Sequence, residues 1–216
     1  MHAMVSFSTL FAAFFGGWEV VLILAVSFVL IGAKSLPGLF GTSRLERRSG
    51  ADEFPLWLAQ GFDIGRIPVA PGTFGSLVGV LWFALLLVPA SFGLYLLGTL
   101  LGLAASVKFC GEAERILGES DPGSVVLDEI AAIPICFLPW VVLELWRLKS
   151  MPPVETFFSG RGLWMSVSIY VLFRVFDIWK PWPVRQSQNL PGGWGVTADD
   201  VLAAIYVGAL SVLFVR

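Results

Sequence analysis

The chain has 216 residues, enough for one domain, and its composition is typical of a membrane protein. Hydrophobic residues make up 56% of the chain, against about 45–50% in soluble domains. The net charge is −2 and no basic run occurs, which excludes a nucleic-acid partner. The single histidine is His2. Sites that need a core histidine, such as serine-hydrolase triads and histidine-ligated zinc, are therefore excluded.

The first predicted element is a membrane anchor. The apolar run from Trp18 to Ala33, with the apolar residues before it, exceeds the roughly 20 residues that a span needs. A positive n-region and a small-residue cleavage site are not evident, so a signal peptide is the less favoured alternative. Residues 34–60 form the most basic loop and are expected to face the cytoplasm. We therefore predict an anchor and basic linker over residues 1–58, followed by a functional domain over residues 59–216.

Residues 61–76 are rich in glycine and proline and are predicted to form a loop. The end of this segment opens onto the apolar run 77–107. Glycines and hydroxyls ahead of a helix N-terminus suit an anion, because free N–H groups and the helix dipole favour negative charge. The candidate anion-binding residues are Gly72, Thr73, Gly75 and Ser76. The alternative is a helix cap formed by one of the two hydroxyls.

The remaining apolar runs predict an all-α fold, a membrane-associated helical bundle with an N-terminal transmembrane anchor. The run 77–107 is interrupted at Pro89 and forms either one kinked span or a hairpin of two helices. A second run, 130–146, contains Pro134 and Pro139, which are expected to kink it.

Two more helices are predicted towards the C-terminus. One covers residues 163–179 and ends before Lys180 and Pro181. The other covers residues 201–215, with Thr197 as its predicted N-cap.

Four charged residues lie at the end of the predicted helix 163–179. Arg174 and Asp177 are three positions apart and share a helix face, and Lys180 and Arg185 follow. Such charges beside an apolar segment are costly, by roughly 2.5–3.5 kcal/mol each on insertion scales. Arg174 and Asp177 alone are consistent with an internal ion pair. Three cations around one carboxylate exceed that need and favour a phosphate ligand.

Two acidic pairs, Asp128-Glu129 and Asp199-Asp200, also lie beside apolar runs. Together with Asp177 they make five carboxylates, which must be neutralised by protons, cations or a metal if they converge. Donors that are all oxygen indicate Mg²⁺ or Mn²⁺ rather than zinc. For the second pair, helix capping is the alternative.

Four blocks of sequence together resemble the bacterial phosphatidylglycerophosphatase A family. In chain order they are Gly61-Phe62 with PGTFGS at 71–76, DPGSVVLDE at 121–129, FRVFDIWKPWPVR at 173–185, and GGWGVTADD at 192–200. The resemblance covers roughly residues 59–212. It implies an all-α, Mg²⁺-dependent inner-membrane enzyme that hydrolyses phosphatidylglycerophosphate to phosphatidylglycerol and phosphate. Asp63 stands where the family usually has a small residue, so we assign it no role.

The expected mechanism divides the candidate residues into two groups. Mg²⁺ is expected to be held by carboxylates from the set Asp128, Glu129, Asp177, Asp199 and Asp200, with Asp177 as a ligand or general base and Asp128 also catalytic. Arg174, Lys180, Arg185 and the 72–76 segment are expected to hold the phosphate and stabilise the transition state. Both direct attack by water and an aspartyl-phosphate intermediate are open at this point.

The expected partners are the phospholipid substrate and the bacterial inner membrane, with the active site on the cytoplasmic side; the sequence does not predict an oligomeric state. Placing all motif blocks on one side puts Arg147, Lys149 and Arg161 on the other, against the positive-inside tendency. The alternative function is a small helical transporter or ion-binding membrane protein without phosphatase activity, which also keeps charges at the ends of broken helices. That alternative predicts an inverted repeat, which the sequence does not show.

Overall fold

The structure, a computed structural model, describes residues 50–215, and these residues form helices joined by turns. The helices are α1 Gly50–Ala59, α2 Pro71–Leu87, α3 Phe92–Leu117, α4 Leu127–Leu148, α5 Glu155–Phe158, α6 Gly160–Trp179, α7 Val184–Ser187 and α8 Gly193–Val215, with a short 3₁₀ helix at Ile64–Arg66. The predicted all-α class is confirmed. The predicted anchor at 18–33 lies outside the described residues.

Four of these helices, α3, α4, α6 and α8, are long and apolar enough to cross a membrane. Large aliphatic side chains point outward from them: Leu100, Leu101 and Leu213 are 63%, 61% and 76% exposed. A bilayer solvates such a surface, whereas exposed apolar patches are limited in soluble monomers. The chain is therefore a membrane protein, as its composition predicts.

The helix α4 lies at the centre of the bundle and packs most extensively against α8 and α2. Its Phe137 stacks on Phe83 of α2 with ring centroids 4.1 Å apart. Phe157 of α5 meets Phe83 and Trp140 edge-on, at 5.1 and 4.6 Å. These interlocking aromatic rings form the core midway along the bundle.

The run 77–107 forms the hairpin rather than one kinked span. The helix α2 ends at Leu87, and α3 begins at Phe92 after a four-residue turn. Ser91 caps α3, because its Oγ accepts a hydrogen bond from the backbone N–H of Leu94 at 3.4 Å. The hairpin returns the chain to the side on which α2 began.

Alternating helix directions bring the motif blocks to one end of the bundle, called here the site end. The starts of α2, α4 and α8 meet the ends of α3 and α6 there, as the contacts Gly72–Glu129, Ser106–Thr197 and Lys180–Asp199 show. At the opposite end Arg161 donates to the Phe214 carbonyl at 3.5 Å. The cations Arg147, Lys149 and Arg161 belong to that opposite end, as expected for motif blocks on one side.

Two predicted helix starts are wrong. The helix α2 begins at Pro71, so the predicted loop 71–76 is helical; proline suits a first helical position because its missing N–H has no partner there. The helix α8 begins at Gly193, so Thr197 is no N-cap. Its hydroxyl instead bonds Ser106 at 2.7 Å. A Cβ at Gly193 would lie 1.9 Å from the Val107 carbonyl oxygen. Close packing on α3 therefore requires glycine at this helical position, although glycine has a low helix propensity.

The predicted boundary between residues 58 and 59 falls inside α1. Leu56 and Ala59 of this helix are 1% and 0% exposed and pack with Cys110 and Ala113 of α3. The packed bundle therefore includes residues that precede the predicted boundary. Whether residues 1–49 form an anchor stays a prediction.

A buried hydrogen bond between Tyr95 of α3 and Pro134 of α4 supplies a stability test. Tyr95 is fully buried, and its hydroxyl donates to the Pro134 carbonyl oxygen at 2.5 Å. We expect Tyr95→Phe to cost about 0.5–1.5 kcal/mol, because it removes a buried hydrogen bond between α3 and α4. The matched control is Tyr206→Phe, which removes an exposed hydrogen bond of 2.9 Å to the Trp182 carbonyl. Melting in detergent should show the larger loss for Tyr95→Phe, and equal losses would contradict a buried hydrogen bond.

Candidate active site

Arg174 is the centre of the site end. Its Nη1 lies 3.0 Å from Glu129 Oε1 and 2.9 Å from Asp177 Oδ2, and it donates to Ser76 Oγ at 3.1 Å. The side chain is 7% exposed. Its Nε is buried and has no hydrogen-bond partner among residues 50–215. One guanidinium therefore joins α2, α4 and α6 and keeps a spare donor.

The glycines of the PGTFGS block let α2 approach Glu129. A Cβ at Gly72 would lie 2.1 Å from Glu129 Oε1, and one at Gly75 would lie 3.0 Å from Glu129 Oε2 and 2.7 Å from Val126 Cβ. Ser76 Oγ lies 2.8 Å from the Gly72 carbonyl oxygen and 3.2 Å from Glu129 Oε2, either of which can accept its proton. This block shapes a close contact with a carboxylate.

Lys180 is the second cation of the site end. It ends α6 in a left-handed conformation with φ 47, and its Nζ donates to Asp199 Oδ2 and lies 3.7 Å from Asp121 Oδ2. Burial lowers the pKa of Lys180, but the charge of Asp199, the hydrogen bond to it and the charge of Asp121 raise that pKa more. The net pKa lies above the ordinary value, so the ammonium stays charged at neutral pH.

Asp128 and Asp200 are the carboxylates without a cation. They are 5% and 3% exposed, and neither forms an ion pair in the described part of the chain. Asp128 Oδ1 has no hydrogen-bond partner there. Asp200 is close enough to Asp128, Glu129, Asp177 and Asp199 for their charges to interact. Five carboxylates therefore share this end with two paired cations, and negative charge is in excess.

The carboxylates of the site end match a divalent metal in the type of their donor atoms. All candidate donors are oxygens, the type that Mg²⁺ prefers, and the unpartnered buried oxygen of Asp128 is a donor without another role. Among residues 50–215, no three acidic side chains are arranged so that they could hold a metal ion together. The chemistry of the donors fits Mg²⁺, while Glu129, Asp177 and Asp199 are positioned by pairing with Arg174 or Lys180.

The structure brings most of the predicted site residues together. They are Gly72, Gly75, Ser76, Asp128, Glu129, Arg174, Asp177, Lys180, Asp199 and Asp200. Thr73 is buried nearby and contributes its carbonyl oxygen to the Tyr170 hydroxyl at 3.1 Å. Arg185 differs: it is exposed on α7 and forms no ion pair with residues 50–215. Its predicted phosphate contact stays a prediction.

The capping alternative for Asp199 and Asp200 is wrong, because both lie in the second turn of α8 rather than before it. The ion-pair alternative for Arg174 and Asp177 describes a contact that exists, although Glu129 shares the same Nη1.

Sequence reasoning missed Asp121 and Gln188. Asp121 has φ 49 in the turn before α4, and its Oδ2 accepts a hydrogen bond from Gln188 Nε2 at 2.9 Å and faces Lys180. The DPGS turn signal could have drawn attention to Asp121 as a loop acid within a motif block. Gln188 carries no signal in the sequence, since its role depends on where the chain after α7 returns.

Comparison with known proteins identifies the family. Residues 57–215 match the family model of phosphatidylglycerophosphatase A. The chain belongs to the phosphatidylglycerophosphatase A family. Separately, residues 14–44 match the model of the mttA/Hcf106 family; they lie outside the described residues.

Three proteins are similar in sequence to this phosphatidylglycerophosphatase A family member. The phosphatidylglycerophosphatase A of Escherichia coli is 33% identical over 68% of the chain and 76% of its own length, and that of Haemophilus influenzae is 34% identical over 69% and 81%. A Bacteroides thetaiotaomicron protein named as a candidate phosphatidylinositol-3-phosphatase is 36% identical over 70% and 87%. No solved structure matches the chain.

The contact between α2 and Glu129 supplies the second prediction. We expect Gly72→Ala to lower kcat at least about tenfold, because the added Cβ must displace Glu129 and with it the Arg174 contacts. Gly93→Ala is the matched control: it is also the second residue of a helix, and its Cβ would meet nothing closer than 3.9 Å. Turnover on a phosphate monoester lipid is measured in detergent for both. Normal turnover in Gly72→Ala would show that this contact does not support the chemistry.

Proposed function

We propose that this chain removes the terminal phosphate of phosphatidylglycerophosphate, releasing phosphatidylglycerol and inorganic phosphate. Membership of the phosphatidylglycerophosphatase A family supports this, as do two relatives with that name. The observation that carries it is the site end itself, where buried Arg174 and partly buried Lys180 lie among five carboxylates at one end of a membrane bundle. This set of groups suits a doubly charged phosphate that must be bound, neutralised and attacked.

Arg174 and Lys180 are proposed to hold the phosphate. Both are paired with carboxylates, so a bound phosphate would replace part of that pairing. The Arg174 Nε has no partner among residues 50–215, and leaving a buried donor unpaired is costly. A phosphate oxygen would satisfy it, and guanidinium groups bind phosphate oxygens bidentately. Arg174 would thus keep its carboxylates on one side and bind the substrate on the other.

We further propose that the excess of carboxylates binds Mg²⁺. Asp128 and Asp200 would be its first ligands, because they are the buried acids without a cation partner in the described chain. Asp177, Asp199 and Glu129, which pair with Arg174 or Lys180, would complete or flank the site. A bound Mg²⁺ would supply charge neutralisation and Lewis acidity at the phosphate. Asp128 and Asp177 are the carboxylates proposed to act on the reacting groups.

The proposed location of the site is the cytoplasmic surface of the bacterial inner membrane. Trp179, Trp182 and Trp194 at the site end are 70%, 75% and 62% exposed, and tryptophan is enriched at membrane–water interfaces. The helix α1 packs at the same end and directly follows the basic segment 34–48. Positive charge favours the cytoplasmic side, and the four cations of segment 34–48 support placing the site end there, against the three cations Arg147, Lys149 and Arg161 at the opposite end.

Phosphate release tests the function directly. The purified chain in detergent should release phosphate from phosphatidylglycerophosphate, lose at least about tenfold of that rate in EDTA, and regain it with added Mg²⁺. Phosphatidylinositol 3-phosphate is the comparison substrate, because one relative is named for it. No release from phosphatidylglycerophosphate would contradict the proposed reaction and favour a transporter. Full activity in EDTA after prolonged chelation would contradict the proposed Mg²⁺ dependence but not the proposed reaction.

A substitution at Asp200 tests whether this acid is a metal ligand or has only a structural role. We expect Asp200→Asn to cut turnover at least about tenfold, equivalent to roughly 1.4 kcal/mol in barrier, and to raise the Mg²⁺ concentration needed. Melting in EDTA should hold or rise, because removing one charge relieves repulsion among the neighbouring carboxylates. The matched control Asp63→Asn changes a half-exposed acid paired with Arg66. Unchanged turnover and Mg²⁺ demand would remove Asp200 from the proposed metal site.

A further inference from the structure

An open pocket of about 230 Å³ lies beside the carboxylate cluster at the site end. Its polar wall is formed by Glu114, Ser120, Asp121 and Gln188, and Leu190 and Val196 contribute an apolar side. The volume is several times the roughly 30 Å³ that one water occupies, so the pocket can admit a small polar organic group. None of these six residues belongs to the set proposed above to bind phosphate or metal.

The pocket is joined to the proposed phosphate site through Asp121. Its Oδ2 accepts the Gln188 Nε2 hydrogen bond at 2.9 Å and lies 3.7 Å from Lys180 Nζ. Lys180 in turn binds Asp199. A group bound against the hydrogen-bonded pair of Asp121 and Gln188 would therefore lie next to a phosphate held by Lys180.

The wall is held in place by hydrogen bonds of its own. Glu114 Oε1 accepts from the Asp121 backbone N–H at 2.8 Å and from the Ser120 hydroxyl at 3.4 Å. This fixes the turn that carries Asp121, including its left-handed φ of 49. The Gln188 carboxamide donates an N–H to Asp121, and the carboxamide oxygen accepts no hydrogen bond from residues 50–215. The pocket thus presents a fixed carboxylate and an available carboxamide acceptor.

We propose that this pocket binds the polyol that carries the phosphate monoester in the lipid head group, with the Asp121 carboxylate or the Gln188 carboxamide oxygen accepting a hydrogen bond from its free hydroxyl. The inference rests on the proposed function, which supplies the adjacent phosphate. Carboxylates form the stronger, charge-assisted hydrogen bonds with hydroxyl donors, and the apolar side suits the carbon backbone of a polyol. The relatives are named for lipids whose phosphate sits on glycerol or on inositol, so the polyol is what such sites must distinguish.

Binding of two soluble probes tests the pocket apart from catalysis. Titration calorimetry in detergent should show that sn-glycerol 3-phosphate binds the full chain at least about tenfold more tightly than inorganic phosphate. Gln188→Leu should remove most of this advantage while inorganic phosphate binds as before, because only the polyol contact is lost. Gln186→Leu is the matched control, since Gln186 is an exposed glutamine on the neighbouring helix α7 and does not line the pocket. Melting curves confirm that each variant is folded.

The outcomes separate this inference from the proposed function. Equal affinity for the two probes, or no binding of sn-glycerol 3-phosphate, overturns the polyol pocket even where phosphatidylglycerophosphate is hydrolysed. Loss of affinity for both probes in Gln188→Leu also overturns it, because the residue would then only support Lys180. If the lipid is not hydrolysed but sn-glycerol 3-phosphate is still preferred over inorganic phosphate, the proposed hydrolysis is contradicted and the polyol pocket is supported. On the lipid itself, Gln188→Leu should lower kcat/KM about tenfold on phosphatidylglycerophosphate and leave it within about twofold on phosphatidic acid, whose phosphate-bearing glycerol has no free hydroxyl.

Discussion

The crowding of five carboxylates at one end of a membrane bundle is the constraint on which the rest of the site end depends. Charges taken out of water are stable only when paired or bonded. Arg174 meets two of the acids and ties α2, α4 and α6 together, while Lys180 ties the end of α6 to α8 and the turn at Asp121. Beyond the site end, the bundle is held by aromatic packing around Phe137. The site end is therefore organised by charge and the rest of the bundle by apolar contact.

This division explains why the site end is not optimised for stability. Asp128 and Asp200 remain buried without a cation, and Asp128 Oδ1 and Arg174 Nε remain without hydrogen bonds in the described chain. Each such atom costs free energy in the absence of a ligand. A phosphate and a divalent cation have the opposite charges and the bonding capacity that these groups lack. The unsatisfied atoms are thus arranged as a functional site is, at the expense of the folded state.

The sequence predicted the helices and the clustered charges because apolar runs and isolated charges are visible in a single chain. It failed at the starts of α2 and α8. Glycine and proline in 71–76 and 192–195 read as loops, whereas contacts with Glu129 and the Val107 carbonyl require small helical residues there. Arg185 was included because it is near Lys180 in sequence, but the chain turns into α7 and leaves it exposed. Asp121 and Gln188 meet across 67 positions, a distance that no local pattern reveals.

The two kinds of surface at the site end divide recognition of a lipid in a physically reasonable way. In the proposed reaction, Arg174, Lys180 and the carboxylates would respond to a phosphate monoester whatever carries it, so they would set the reaction but not the lipid. Most of the neighbouring pocket is built from the turn at Asp121 and the segment that follows α7, with Glu114 of α3 and Val196 of α8 completing it, outside the helix that holds Arg174. A polar wall that hydrogen-bonds a hydroxyl discriminates strongly against substrates that lack it, because its groups are then left unpaired. Changes in these two short segments can therefore alter head-group preference while the charged cluster stays intact, which is consistent with relatives of similar identity carrying names for different lipid phosphates.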